Sequence, residues 1–260
     1  MEASGNWRFR SSASEPARAA VIVAHGLNNR PEAMDPIAGC LNHHGFHALR
    51  VSFHDRASRP EGLPSCWLSE MAGGYRELEA RYPELPVYNL SFSLGALVTI
   101  RFLELEGAAR FERMVFLAPA IALTRRAGLV RCLRPLRSLG LSLPSVAPRS
   151  LRARDATPIA EYAAMLDLMD YARIVSRRVG RIPTAVLASR RDEVVSFEGI
   201  ESWMRRNRLE NWTLKAVHPE ASPAPCLSYE HLSVLETVRQ PSSRLHREIL
   251  RHFGVRTGSE

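Results

Sequence analysis

Short apolar runs rich in Val, Ile, Leu and Phe recur along the chain and alternate with longer segments in which apolar residues return at helical spacing. Continuous runs of this kind mark strands covered on both faces, and the intervening helical periods mark crossovers between parallel strands. After a short strand at Trp7–Arg10, the pattern predicts strands at Ala20–Ala24, Ala48–Phe53, Val87–Leu90, Met114–Ala118, Thr184–Ser189 and Trp212–Val217. Asp35 followed by Pro36 reads as a helix start and Gly45 as the left-handed residue that ends that helix. Trp67, Met71, Tyr75, Leu78 and Tyr82 share one helical face, which predicts a helix over Cys66–Tyr82. Further helices are expected at Leu97–Leu105 and from Leu232 to Val238, with a small-residue loop at Ser222–Pro225. The fold class is α/β, a doubly wound and mainly parallel sheet with helices on both faces.

The alternation breaks between Ile121 and Gly180, where arginines, leucines and prolines precede a helix expected over Pro158–Val179. Residues 121–180 are therefore read as an inserted helical cap, and 1–120 with 181–260 as one core domain. A composition of 45% hydrophobic and 24% charged residues suits a globular chain of 260 residues and excludes a disordered or fibrous one. The formal charge of +8 rests almost wholly on arginine, since Lys215 is the single lysine. These arginines are scattered and accompany no nucleic-acid module, so nucleic acid is not an expected partner. Cys40, Cys66, Cys132 and Cys226 lie far apart without a C-x-x-C pair, which points to free thiols. The polar stretch Met1–Ala20 has no apolar signal core, and a cytoplasmic location is expected.

The sharpest chemical signal is Leu90-Ser91-Phe92-Ser93-Leu94-Gly95-Ala96, set between an apolar strand and a helical run. A serine hydroxyl becomes a nucleophile only when exposed on a sharp turn, beside a base, with amides aimed at the developing oxyanion. Small residues on either side permit such a turn. This segment resembles the nucleophile elbow of the α/β-hydrolase superfamily, with Gly95 as the second glycine of G-x-S-x-G and Ser91 in place of the first.

That resemblance extends to Val23-Ala24-His25-Gly26-Leu27, similar to the segment supplying the second oxyanion donor. It implies Ser93 as nucleophile, Leu27 and Leu94 as oxyanion-hole amides, and His25 as a structural residue satisfied by backbone groups. Asp192, in Arg191-Asp192-Glu193-Val194-Val195, matches the family's acid, with Glu193 as the neighbouring alternative. Two histidines compete for the base. His231, several residues beyond the last strand, fits better than His218 at its end. The turn Phe53-His54-Asp55-Arg56 departs from the Gly-His-Gly-like pattern of many relatives.

The resemblance implies hydrolysis of a small-molecule carboxylic ester through an acyl-enzyme, with no metal or organic cofactor. Thioester cleavage, acyl transfer, or a ligand-binding protein without turnover are the alternatives. The leucines of the cap are expected to face an apolar acyl pocket. A weak contact with an anionic membrane surface is the competing use for Arg125, Arg126, Arg131, Arg134 and Arg137. His43, His44 and His47 straddle Gly45 and point in different directions, so a metal site there is not expected.

Overall fold

The computed structural model describes residues 9–53, 62–217, 231 and 244–255. The expectations for Trp7, His54–Arg56, His218, Ser222–Pro225, Cys226 and the helix at Leu232–Val238 lie outside the described residues. In chain order the elements are β1 (Phe9–Arg10), β2 (Ala19–Ala24), α1 (Asp35–His43), β3 (Phe46–Val51), α2 (Leu63–Arg81), β4 (Val87–Phe92), α3 (Leu94–Leu105) and β5 (Arg113–Leu117). They continue with a 3₁₀ segment (Ala127–Leu136), β6 (Ser142–Pro144), β7 (Ala156–Pro158), α4 (Ile159–Tyr171), α5 (Arg177–Gly180), β8 (Thr184–Ala188), α6 (Phe197–Arg206), β9 (Trp212–Ala216) and α7 (Arg244–His252).

Seven strands form one sheet in the order β1-β3-β2-β4-β5-β8-β9. Every pairing is parallel except that of β1, which runs antiparallel to β3 at one edge. All residues of β2, β3 and β8 are buried, as continuous apolar runs require when helices cover both faces. Helices α1 and α7 pack together on one face, and α2 and α3 on the other. The edge strand β9 alternates buried Trp212 with exposed Thr213 and Lys215, the pattern of a strand covered on one side.

Two local expectations are corrected. Asp35 does not cap α1: a 3₁₀ turn over Pro31–Met34 precedes it and Met34 is the N-cap, with no side-chain cap bond. The Asp35 carboxylate instead meets the guanidinium of Arg50, which is buried within β3 and also reaches Glu32. A charge held inside a strand needs an opposite charge more than a helix start needs a cap. Gly45 does adopt the left-handed conformation, with φ of 91°.

The second correction concerns the single helix over Pro158–Val179. It is interrupted after Tyr171, and a new start at Arg177 is capped by Ser176, whose side chain accepts from Val179 N–H. Helix α6 takes up the backbone groups freed at the break. Trp203 Nε1 donates to Ala172 O at 2.7 Å, and Asn207 accepts Val175 N–H at 2.9 Å while donating to Arg173 O. The same connection holds an antiparallel pair, β6 with β7, that periodicity does not reveal in runs of three residues. No described helix is long and apolar enough to cross a membrane.

Candidate active site

Ser93 sits between the last residue of β4 and the first of α3, with φ of 50° and ψ of −111°. Such a conformation is strained for any residue with a Cβ and survives only where neighbours impose it. Ser93 N–H donates to Leu117 O at 2.9 Å, and its own carbonyl accepts from Ala96 and Ala120 at 3.2 Å. Gly95 permits the close approach of α3 to β2, since a Cβ there would lie 2.9 Å from His25 O and 3.0 Å from both the carbonyl oxygen and Cβ of Ala24.

Ser91, standing where the family pattern has glycine, is buried with its hydroxyl satisfied. Its Oγ donates to Asn89 Oδ1 at 2.7 Å and lies 2.9 Å from Thr99 Oγ1 on α3. The side chain thus joins a polar link between strand and helix beneath the turn. Thr99→Val removes the helix-side hydroxyl of that link and is expected to cost about 1–2 kcal/mol of stability, read from urea unfolding.

The loop after β2 is built for a different task. His25 is satisfied by backbone groups at both nitrogens: Nδ1 donates to Gly26 O at 2.8 Å and Nε2 accepts Phe53 N–H at 3.0 Å. Asn29 N–H donates to Gly26 O at 3.3 Å, closing a four-residue turn in which Asn28 has φ of 51°. Only the last residue of such a turn donates inward, so the turn makes no use of Leu27 N–H. Leu94 is the first residue of α3, where a main-chain N–H has no partner within the helix. The loop is strapped from above by residues 151–154. Asn28 O accepts from Ala153, the Asn28 side chain exchanges two hydrogen bonds with Arg154, and Arg30 N–H donates to Leu151 O at 2.8 Å.

The three residues, Ser, Asp and His in chain order, meet in space with the histidine between the other two. His231 Nδ1 lies 2.9 Å from Asp192 Oδ2, and His231 Nε2 lies 3.1 Å from Ser93 Oγ. With Nδ1–H donated to the carboxylate, Nε2 is left to accept the Ser93 hydroxyl. All three residues are about 6% exposed. The other oxygen of Asp192 accepts the N–H groups of Val194 and Val195, each at 2.8 Å, which fixes the carboxylate plane. Glu193, the alternative acid, does not meet the imidazole. Its Oε1 accepts His231 main-chain N–H at 3.3 Å, and burial pushes its carboxyl above the usual range.

A cavity of about 130 Å³ opens beside Ser93 and His231, lined among others by Leu27, Val146, Ala147, Tyr162 and Met165. Sequence reasoning named none of the last four, although Tyr162 and Met165, three apart on one helix, could have been read as one face. The expectation that the leucines of 127–136 line an acyl pocket is overturned. That segment is 3₁₀, contains Pro135, and buries no residue. Leu129 is 68% and Leu139 64% exposed, while Arg134 and Arg137 are turned onto α4 by Asp167 and Asp170. His44 and His47 bond main-chain groups of Cys40 and Ser12.

No family model matches the chain, and neither does any curated protein. Solved structures do. A soluble variant of monoglyceride lipase from Saccharomyces cerevisiae, in complex with a substrate analogue, superposes with a TM-score of 0.70 at 11% identity, covering 96% of this chain and 91% of that one. Monoacylglycerol lipase from Paleococcus ferrophilus gives 0.62 at 18% identity over 90% and 98%. A putative aryl esterase from Burkholderia cenocepacia gives 0.60 at 14% identity over 93% and 91%. The likeness is one of fold: the chain has the α/β-hydrolase fold.

Proposed function

We propose that this α/β-hydrolase fold carries a serine hydrolase of carboxylic esters, with Ser93 as nucleophile, His231 as base and Asp192 as the acid that orients it. One observation carries the reading: an unbroken hydrogen-bonded path from Ser93 Oγ through both imidazole nitrogens to a buried carboxylate, set on a strained strand-to-helix turn. The Ser93 hydroxyl attacks the ester carbonyl as His231 Nε2 takes its proton. The Leu27 and Leu94 amides receive the oxyanion, and the imidazolium then protonates the departing alcohol. Water, activated by the same nitrogen, hydrolyses the acyl-enzyme. The names of the structural neighbours support an ester as substrate, and Leu27, Val146, Ala147 and Met165 in the cavity lining support an apolar acyl group.

The test is hydrolysis of p-nitrophenyl esters of increasing acyl length, with a fluorophosphonate located by mass spectrometry. Turnover with the label on Ser93 is expected. A label elsewhere, or turnover of thioesters alone, would sink the ester assignment.

Residues 121–180 are proposed as the cap over a core of 1–120 and 181–260. Leu129, Leu139 and Val146 of this segment are exposed, as are Arg125, Arg126 and Arg131, and Val146 also lines the cavity. This surface supports contact with an anionic bilayer. Replacing the three arginines by Gln is expected to weaken binding to phosphatidylserine vesicles about 100-fold, at roughly 1 kcal/mol per charge. Unchanged sedimentation with vesicles would dismiss the contact.

A further inference from the structure

Glu193 has no part in the relay just described, yet its surroundings are unusually fixed. On one side, Asp192 Oδ1 holds the N–H groups of Val194 and Val195. On the other, Thr124 donates its N–H to Val194 O at 2.9 Å and its hydroxyl to Glu193 O at 2.7 Å. The backbone of Glu193 is therefore pinned from both directions, and its carboxylate reaches the main-chain N–H of His231 at 3.3 Å. The side chain of His231 already has both ring nitrogens bonded, which directs the ring but leaves the position of its main chain to be set separately. Half-burial opposes a charged carboxylate at this position, so a main-chain donor for it is no incidental contact.

We infer that Glu193 is a positioning residue for His231: by gripping the main-chain N–H it fixes where the imidazole stands between Ser93 and Asp192. Its kinetic consequence rests on the proposed ester hydrolysis, whereas its structural consequence does not. Glu193 touches none of the reacting atoms. It acts through the placing of the base, and displacement of a catalytic group by a fraction of an ångström to an ångström lowers the rate of the chemical step rather than substrate binding.

The test compares Glu193→Ala, which removes the acceptor, with Glu193→Gln, which keeps an oxygen in place without the charge. Glu193→Ala is expected to lower kcat about tenfold while KM stays within about twofold, and Glu193→Gln to recover most of the loss. An independent reading comes from the low-field proton resonance of His231 Nδ1–H bonded to Asp192. It is expected to broaden or vanish in the Ala protein and to persist in the Gln protein. Wild-type kcat with an unshifted resonance in Glu193→Ala would overturn the inference. Equal impairment in the two variants would also overturn it, by assigning the effect to charge. If the native protein cleaves no ester, the resonance alone decides, so loss of the proposed activity and loss of the positioning role are told apart.

Discussion

Ser93→Gly is expected to be inactive and at the same time more heat-stable than the native protein. Loss of the proposed nucleophile should lower kcat by roughly 10⁵-fold or more, as removal of a member of a catalytic unit does. The stability gain follows from the backbone. Ser93 is held at φ of 50° and ψ of −111°, a region that only glycine occupies without penalty. Relief of strain of about 1–3 kcal/mol is offset by the greater freedom of glycine in the unfolded chain, about 0.5–1 kcal/mol. The net gain of about 1 kcal/mol corresponds to a rise of about 2–4 °C in melting temperature for a chain of this size. Ser93→Ala, equally inactive, keeps a Cβ and should show no such rise. A lower melting temperature for the Gly variant in a thermal scan would mean that the turn carries no strain.

Asp192→Asn should reduce kcat about 10⁴-fold with little change in KM. The reason lies in the two main-chain N–H groups that Asp192 Oδ1 accepts. An asparagine must leave its oxygen facing those donors, because turning the amide over would set donor against donor. Its NH₂ then faces His231 Nδ1 and forces the proton onto Nε2, where the imidazole can no longer accept from Ser93. Rate recovery at high pH, or a variant within tenfold of the native kcat, would contradict this account.

The sheet and the elbow were legible because both depend on local sequence. Buried strands need continuous apolar runs, and a sharp strand-to-helix turn needs small residues at fixed places, as Ser91 and Gly95 supply. The histidine was harder. Spacing favours His231 over His218, and only the distances of 2.9 and 3.1 Å bring it to Asp192 and Ser93. What stayed hidden were choices of partner made in three dimensions. Asp35 looks like a cap until Arg50, fifteen residues on, is seen to need a counter-charge inside β3. Glu193 looks like a spare acid until Thr124 is seen to fix its backbone. The leucines of 127–136 read as pocket lining because leucines interleaved with arginines imply an apolar face turned inward. Pro135 and 3₁₀ geometry leave none of them fully buried.

The adjacency of β5 and β8 restricts how this protein could have acquired or could shed its proposed cap. The two strands are parallel neighbours, so the chain that leaves Leu117 must return to the opposite end of the strands, roughly 17 Å away, before Thr184 can begin. Helix α4, with 13 residues, spans about 20 Å and is long enough for that return. The proposed cap is thus not a detachable insert between two finished strands but an enlargement of an obligatory crossover. A lineage remodelling its substrate range is free to lengthen or trim the stretch between Ala127 and Ser150, whereas excising all of 121–180 would sever the sheet's own wiring.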